Sequence, residues 1–306
     1  MRTATPDREV VLDPRATLAE ARATTRRVAR TFAIACRILP AGVRDDVYLL
    51  YLVFRELDDV VDEGRPDADE RLSAVEDWCA GRDVRGREAR ILEALSARHD
   101  LPRPAFQDFC AGMRDDLAGR RPRTEEELDR YCYRVAGTVG VVMAHVLGVD
   151  DPDRALPAAA ALGRAMQRTN VLRDIDEDAG EGRVYVPSET VERLGSLAPG
   201  RREAVLRDQI ARADALYEEG LAGIVHLRSG RRAIAAAAVM YRGILRQIER
   251  EGYGRRPGRA IVPRGRRLAL AAGAVARPPH RRRRSTASPA ARLERETTGP
   301  GGRAPR

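Results

Sequence analysis

The segment from residue 43 to residue 63 constrains the fold more than any other part of the chain, because it reads as a helix that is apolar on most sides. At about 100° per residue, such a helix gathers its polar side chains in one narrow arc, namely Tyr48, Tyr51, Arg55, Asp58 and Asp62. A helix that is apolar on most sides is buried, and an unpaired buried charge costs several kcal/mol. The stripe therefore predicts that this helix faces a cavity, a metal ion or a partner.

A second polar stripe lies about 115 residues further on, in a segment that also reads as an apolar helix. Within about 80° of helical arc, it carries Gln167, Asn170, Asp174 and Asp178. Each stripe thus holds two aspartates four residues apart, one above the other on the same helical face. Paired carboxylates suit Mg²⁺, which keeps several waters and bridges to substrate phosphates. Two such stripes facing each other are expected to hold Mg²⁺ ions around a diphosphate.

Acidic residues four apart are usually ordinary solvated helix surface, and on that ground we expect Asp115 and Asp116 to lie on the surface. The two stripes differ because each is embedded in an apolar helix and has amide or arginine neighbours on the same face. Calcium is not expected, because the chain has no twelve-residue loop of alternating oxygen ligands.

Helical periodicity dominates the rest of the chain. Aromatic residues make up only 4% of the sequence, and no alternating pattern of strand length appears. Glycine and proline separate stretches of helical pattern, which cover residues 18–37, 43–63, 69–80, 87–99, 104–119, 124–148, 152–178, 201–227, 231–251 and 263–276. We therefore predict one all-α domain over residues 18–276, a flexible segment over 1–17, and a disordered tail rich in arginine and proline over 277–306.

The basic charge of the chain is concentrated at one end. The formal net charge is +9, of which +7 belongs to residues 277–306. A helical adaptor that binds polyanions through this tail is an alternative hypothesis, but the tail has no aromatic residue and we expect no nucleic-acid partner. The cysteines show no CxxC spacing, no signal-peptide core is visible, and the longest uncharged run is too short to cross a bilayer. These features predict a cytoplasmic protein, with peripheral membrane contact left open.

Several segments together resemble the squalene/phytoene synthases, which are head-to-head prenyltransferases, and the bacterial phytoene synthases most of all. The resemblance spans residues 25–272 and rests on Thr31-Phe32-Ala33 with Leu39-Pro40, Arg55 to Glu63, Tyr131 to Gly140, Gln167 to Pro187, and Tyr241 to Leu245 with Gly252-Tyr253. It implies the isoprenoid synthase fold, an all-α bundle around a central cavity.

The resemblance also implies roles for individual residues. Mg²⁺, for which Mn²⁺ can substitute, would be bound by Asp58, Asp62, Asn170, Asp174 and Asp178. Substrate would be bound by Arg55, Thr31, Gln167, Asn170, Arg173 and Arg259. Tyr133 and Tyr241 would lie near the carbocation and, with the four aspartates, form the catalytic set. The glycines of the 135–140 segment would either leave room for a prenyl chain or permit close helix packing, and the sequence leaves both open.

The reaction implied is the coupling of two identical prenyl diphosphates through a cyclopropyl diphosphate, followed by ionisation and rearrangement. We favour phytoene formation from two geranylgeranyl diphosphates. The alternative is a C15-using squalene, dehydrosqualene or presqualene diphosphate synthase, and NADPH would be needed only for squalene. The sequence does not indicate the oligomeric state.

Overall fold

The computed structural model describes residues 12–276, and the chain in this range is built from α-helices. The first seven helices are α1 Pro14–Val28, α2 Arg30–Cys36, α3 Ala41–Asp62, α4 Ala68–Cys79, α5 Gly86–Ser96, α6 Arg103–Leu117 and α7 Glu125–Cys132. A π-helical turn, Tyr133–Gly137, joins α7 to α8 Thr138–Leu147. The remaining helices are α9 Pro152–Arg173, α10 Ile175–Gly180, α11 Ser188–Leu194, α12 Glu203–Gly223, α13 Arg231–Arg250 and α14 Arg264–Ala276.

Side-chain caps begin two of these helices as their sequences predict. The carboxylate of Asp13 accepts a hydrogen bond from the backbone N–H of Arg15, and Pro14 occupies the first helical position. The hydroxyl of Thr124 accepts one from the N–H of Glu127 at the start of α7. Helix α1 therefore begins four residues before residue 18, where the predicted domain starts. Residues 1–11 and the predicted tail lie outside the described range.

The helix α9 occupies the middle of the bundle, where it packs against α8, α12, α13 and the π-helical turn. Glycines allow this close approach. A Cβ atom on Gly140 of α8 would lie 2.2 Å from the backbone oxygen of Ala159, and one on Gly163 of α9 would lie 2.1 Å from that of Ala136. Close helix packing therefore accounts for Gly140.

The apolar sides of α3 are buried as the pattern predicts. Leu50, Leu57 and Val53 are fully excluded from solvent, and each contributes about 1.5–3 kcal/mol of hydrophobic stabilisation. Between residues 12 and 276, no helix has both the length and the apolar character to cross a membrane.

The structure differs from the sequence-based helices at three places. The helix expected over 152–178 is interrupted at Asp174, which has φ −100° and ψ 9°. The helix expected over 18–37 is interrupted at Ala29, with φ −113° and ψ 63°. The short helix α11 follows Pro187 and was not predicted, because its single buried residue, Thr190, gives no apolar period.

Candidate active site

The two predicted polar stripes meet at the mouth of one internal cavity of about 340 Å³. From α3, the mouth receives Arg55 and Asp58, and from α9 it receives Gln167 and Asn170. Tyr241 of α13 lines the same cavity. These residues were predicted from the sequence to form one site, and they lie together in the folded chain.

The carboxylates of the first stripe crowd against one another. An Nη of Arg55 lies 2.9 Å from Asp58 Oδ2, and the same guanidinium contacts Asp59. Burial, reinforced by the nearby charge of Asp62, raises the pKa of Asp58 to about 7. Burial also raises the pKa of Asp62, with Arg183 opposing the shift. Nearby positive charge is therefore needed to keep the carboxylates at this end of α3 ionised.

The second stripe surrounds the break between α9 and α10. The guanidinium of Arg173 makes a bidentate contact with Asp174, at 2.8 and 2.5 Å. Arg259 reaches the same carboxylate from the loop before α14, at 2.8 Å. Burial, together with the charge of Asp174, raises the pKa of Asp178 to about 6.

One arginine connects the two stripes. Arg183 Nη1 lies 3.9 Å from Asp62 Oδ1, and its Nε lies 3.8 Å from Asp178 Oδ1. Two carboxylates from different helices thus share a single guanidinium, so the stripes face each other across the mouth. The sequence segment that contains Arg183 was recognised, but no role was predicted for this side chain.

Asn170 provides an uncommitted oxygen at this mouth. Its amide nitrogen donates to Gln167 Oε1 at 3.1 Å. Its Oδ1 is buried and has no hydrogen-bond partner among the described residues. Buried polar atoms normally have partners, so this oxygen is available to a cation or to a substrate proton donor.

The expectation that Asp115 and Asp116 lie on the surface is wrong. The hydroxyls of Tyr131 and Tyr185 each donate to Asp116 at 3.1 Å. Burial raises the pKa of Asp116 to about 6, and Asp115 is paired with Arg134 at 2.6 Å.

The sequence did contain one signal for this arrangement. Gly112 lies four residues before Asp116, on the same face of α6. A Cβ atom there would come within 2.9 Å of the side chains of Arg134 and Val135, so this face packs against the π-helical turn.

Seven of the predicted site residues are not among the side chains that line the cavity. Five of them belong to the ion pairs of the mouth described above, namely Asp62, Arg173, Asp174, Asp178 and Arg259, and the other two are Tyr133 and Thr31. Tyr133 lies beside Asp108, a neighbour that contributes with burial to raising the pKa of its hydroxyl. In the π-helical turn, Tyr133 thus points away from the lining positions Val135 and Ala136. Thr31 is half-buried outside the lining, whereas the adjacent Phe32 is part of it.

The walls of the cavity are apolar. Aromatic rings come from Phe32, Tyr51, Phe54 and Phe109, and small side chains come from Ala136, Ala144, Ala155 and Ala159. Burial raises the pKa of Tyr51, so its hydroxyl stays protonated. Such a cavity accommodates an apolar chain whose charged end stays at the mouth.

A buried ion pair fixes the loop that carries Arg259. The guanidinium of Arg202 contacts both oxygens of Asp176, at 2.6 and 2.7 Å, and Arg202 is 1% exposed. The same carboxylate accepts a hydrogen bond from the N–H of Gly258 at 2.8 Å. Asp176 of α10 thereby ties this loop next to Asp174.

Between residues 12 and 276, no group of three acidic, histidine or cysteine side chains is already gathered in a metal-binding arrangement. The carboxylates of the mouth are instead paired with arginines, as described above. The donor set nevertheless fits a hard divalent ion, because it combines aspartate oxygens with the unpartnered Oδ1 of Asn170.

Comparisons with known proteins agree with this geometry. The chain is 41% identical over 241 residues to a phytoene synthase of Thermus thermophilus, covering 73% of this chain and 80% of that protein. It is 34% identical to a 15-cis-phytoene synthase of Synechocystis, with 81% of each protein covered.

Solved structures of related proteins share the fold. A dehydrosqualene synthase superposes with a TM-score of 0.78 at 26% identity, covering 86% of this chain and 96% of that one. A squalene synthase from Alicyclobacillus acidocaldarius gives a TM-score of 0.69, also at 26% identity, covering 80% and 97%. The family profile described as squalene/phytoene synthase matches residues 25–266. The chain therefore belongs to the squalene/phytoene synthase family of prenyltransferases.

Proposed function

We propose that this protein condenses two geranylgeranyl diphosphates head to head to give phytoene through a cyclopropyl diphosphate. The observation that carries the proposal is an apolar cavity with two facing carboxylate stripes at its mouth. The relatives named phytoene synthase support the choice of product.

Divalent ions, Mg²⁺ or Mn²⁺, would be held by Asp58, Asp62, Asn170, Asp174 and Asp178. When bound, such ions neutralise negative charge on a departing diphosphate. The raised pKa values of Asp58 and Asp178 show that these carboxylates need positive charge nearby to stay ionised. The fit of the donors, including Asn170 Oδ1, supports their assignment as ligands.

The arginines of the mouth are proposed to bind the diphosphates. Arg55, Arg173 and Arg259 each contact an aspartate of the stripes. A planar guanidinium forms bidentate contacts with phosphate as readily as with carboxylate. These side chains would therefore exchange an aspartate partner for phosphate oxygens when the substrate arrives.

The cavity wall has two tasks in this reaction. It keeps water from the allylic cation, because its lining beyond the mouth is almost entirely apolar. Aromatic faces attract positive charge, and Tyr51, Phe54 and Tyr241 supply such faces close to the mouth. Tyr133 is not part of this proposed set.

The length of the cavity supports the C20 substrate. Asn170 lies at the mouth and Ala155 at the far end of the lining contributed by α9. At about 1.5 Å per helical residue, these positions are about 22 Å apart. The small side chains of Ala155 and Ala159 leave the deep part open for the last isoprene unit.

A product analysis tests the proposal directly. Purified full-length protein is incubated with Mg²⁺ and either farnesyl or geranylgeranyl diphosphate, with and without NADPH, and the extracted hydrocarbon is identified by mass. We expect phytoene from geranylgeranyl diphosphate, independent of NADPH, and loss of turnover in EDTA that Mg²⁺ or Mn²⁺ restores. Turnover of farnesyl diphosphate alone would establish the C15 alternative, and turnover in EDTA would refute the metal assignment.

A further inference from the structure

The most exposed large apolar side chains of the described chain lie on one segment. Ile261, just before α14, is 69% exposed, and Leu268, within α14, is 58% exposed. On the solvent-facing side of α14, Ala269, Ala272 and Ala276 are exposed beside Leu268, and Arg264 lies one helical turn before it. An exposed apolar helix face of this kind usually marks a surface that binds something.

The same segment is strongly basic. Residues 252–276 contain six arginines and neither aspartate nor glutamate. Arg259 is paired with Asp174, but the other five form no ion pair with a carboxylate in the described part of the chain. Elsewhere the arginines of the mouth and of α4–α6 are largely neutralised by acidic partners. The segment around α14 therefore carries uncompensated positive charge next to its apolar face.

The position of α14 relates this face to the cavity. The inner side of α14 packs on α13, where Leu270 meets Gly243, and Ala271 joins the cluster that contains Ala237. Ala237 lines the cavity. Only one helix thus separates the exposed face of α14 from the site that would hold a prenyl chain.

We propose that this α14 surface, formed by Ile261, Arg264, Leu268 and Ala272, binds the anionic surface of a lipid bilayer. A helix that lies in the interface buries its apolar face at the headgroup boundary and places its arginines against anionic lipids. A second copy of the chain fits less well. A two-fold symmetric contact would set the same patch against itself, and the unpaired arginines would repel.

The proposal goes beyond the reaction, and its test needs no prenyl substrate. Full-length protein is centrifuged with vesicles of phosphatidylcholine alone or of an equal mixture with phosphatidylglycerol. We expect binding to the mixed vesicles that weakens as salt is added. Ile261→Ser with Leu268→Ser should weaken binding about tenfold or more, because the apolar area buried at the headgroup boundary is lost. Separately, Arg264→Gln should weaken binding about fivefold, which is the contribution of one arginine near an anionic surface.

Matched controls lie at the end of α6 and in the loop between α4 and α5. Val84→Ser with Leu117→Ser removes similarly exposed apolar side chains, 37% and 40% exposed, and Arg82→Gln with Arg85→Gln removes arginines that are paired with Asp77. Both controls should bind vesicles like the wild type. Helical circular dichroism checks that every variant is folded.

Three outcomes would overturn the proposal. In the first, the α14 variants bind mixed vesicles like the wild type. In the second, deletion of residues 277–306 abolishes binding while the α14 variants retain it, so the tail alone is responsible. In the third, light scattering shows that the α14 variants dissociate an oligomer without a change in vesicle binding, so the face joins copies of the chain. None of these outcomes would bear on phytoene formation in detergent.

Discussion

Asn170 is the residue whose environment most directly indicates a ligand. Its Oδ1 is buried without a partner in the described structure, one helical turn before Asp174. We expect Asn170→Leu to raise the Mg²⁺ concentration needed for half-maximal turnover by about 10- to 100-fold, because an oxygen donor is lost. Asn170→Asp should recover most of the metal affinity. Unchanged Mg²⁺ dependence in Asn170→Leu would remove this residue from the metal site.

The aspartates of the two stripes should control turnover rather than folding. Asp58→Ala or Asp174→Ala is expected to lower kcat by about 10²- to 10⁴-fold, since charge stabilisation at the diphosphate is lost. Helical circular dichroism should remain that of the wild type. Glu126→Gln, at an exposed carboxylate with 87% of its side chain in solvent, is the matched control. Near-normal turnover in Asp174→Ala would contradict the assignment.

At this scale the sequence predicted the residues that lie on their own helix, and missed those whose role depends on packing between helices. The arc of Arg55, Asp58 and Asp62 follows from helical geometry alone. Asp116 could not be distinguished from surface, because its partners Tyr131 and Tyr185 lie 15 and 69 residues away in the chain. Tyr133, which the family resemblance assigned to the site, lies in the π-helical turn beside Asp108.

Among the elements, the loop between α13 and α14 depends on the Arg202–Asp176 pair. Arg202→Met removes the bidentate partner of Asp176, whose side chain is 21% exposed, so we expect the free energy of unfolding to fall by about 1–3 kcal/mol. It should also raise the KM for the prenyl diphosphate, because Gly258 and Arg259 lose their support. Arg201→Met, at the exposed neighbour, should change neither quantity. Urea unfolding measures the free energy of unfolding, and steady-state kinetics measure KM. Wild-type values of both for Arg202→Met would show that the Arg202–Asp176 pair does not position the loop.

The length of the cavity along α9 should decide which prenyl chain is used. Ala155→Leu adds bulk at the deep end, which we expect to lower kcat/KM for geranylgeranyl diphosphate more than tenfold while sparing farnesyl diphosphate. Overpacking of this kind costs about 1–3 kcal/mol of stability, so folding is checked by thermal unfolding. Arg154→Leu, on the outer side of α9, is the control. An equal loss with both substrates would show that Ala155 does not limit chain length.

The presence of the long helices could be predicted from the sequence, whereas several of their ends could not. The long helices from α3 to α13 follow from apolar periodicity and from glycine or proline at their ends. The interruptions at Ala29 and Asp174 carry neither glycine nor proline, so they have no local signal.

For the whole molecule, the catalytic body and the basic tail should be separable. Deletion of residues 277–306 is expected to leave Mg²⁺-dependent turnover in detergent within about twofold of the wild type, because none of the site residues lies there. An adaptor that acts through its tail would lose its polyanion binding in the same experiment. Turnover that disappears with the tail would mean that the predicted single domain over 18–276 is incomplete.

The glycines where α9 packs against its neighbours limit how mutation can change the shape of the cavity. Where Gly140 and Gly163 bring two backbone segments together, main-chain atoms form the cavity wall. A side-chain substitution cannot remove main-chain atoms, so it cannot widen the cavity there. Gly220 and Gly223 of α12 impose the same condition where they meet Leu162 and Ala158. A wider cavity, whether selected in nature or in the laboratory, must therefore arise at lining side chains that can be shortened, such as Phe54 and Ile234.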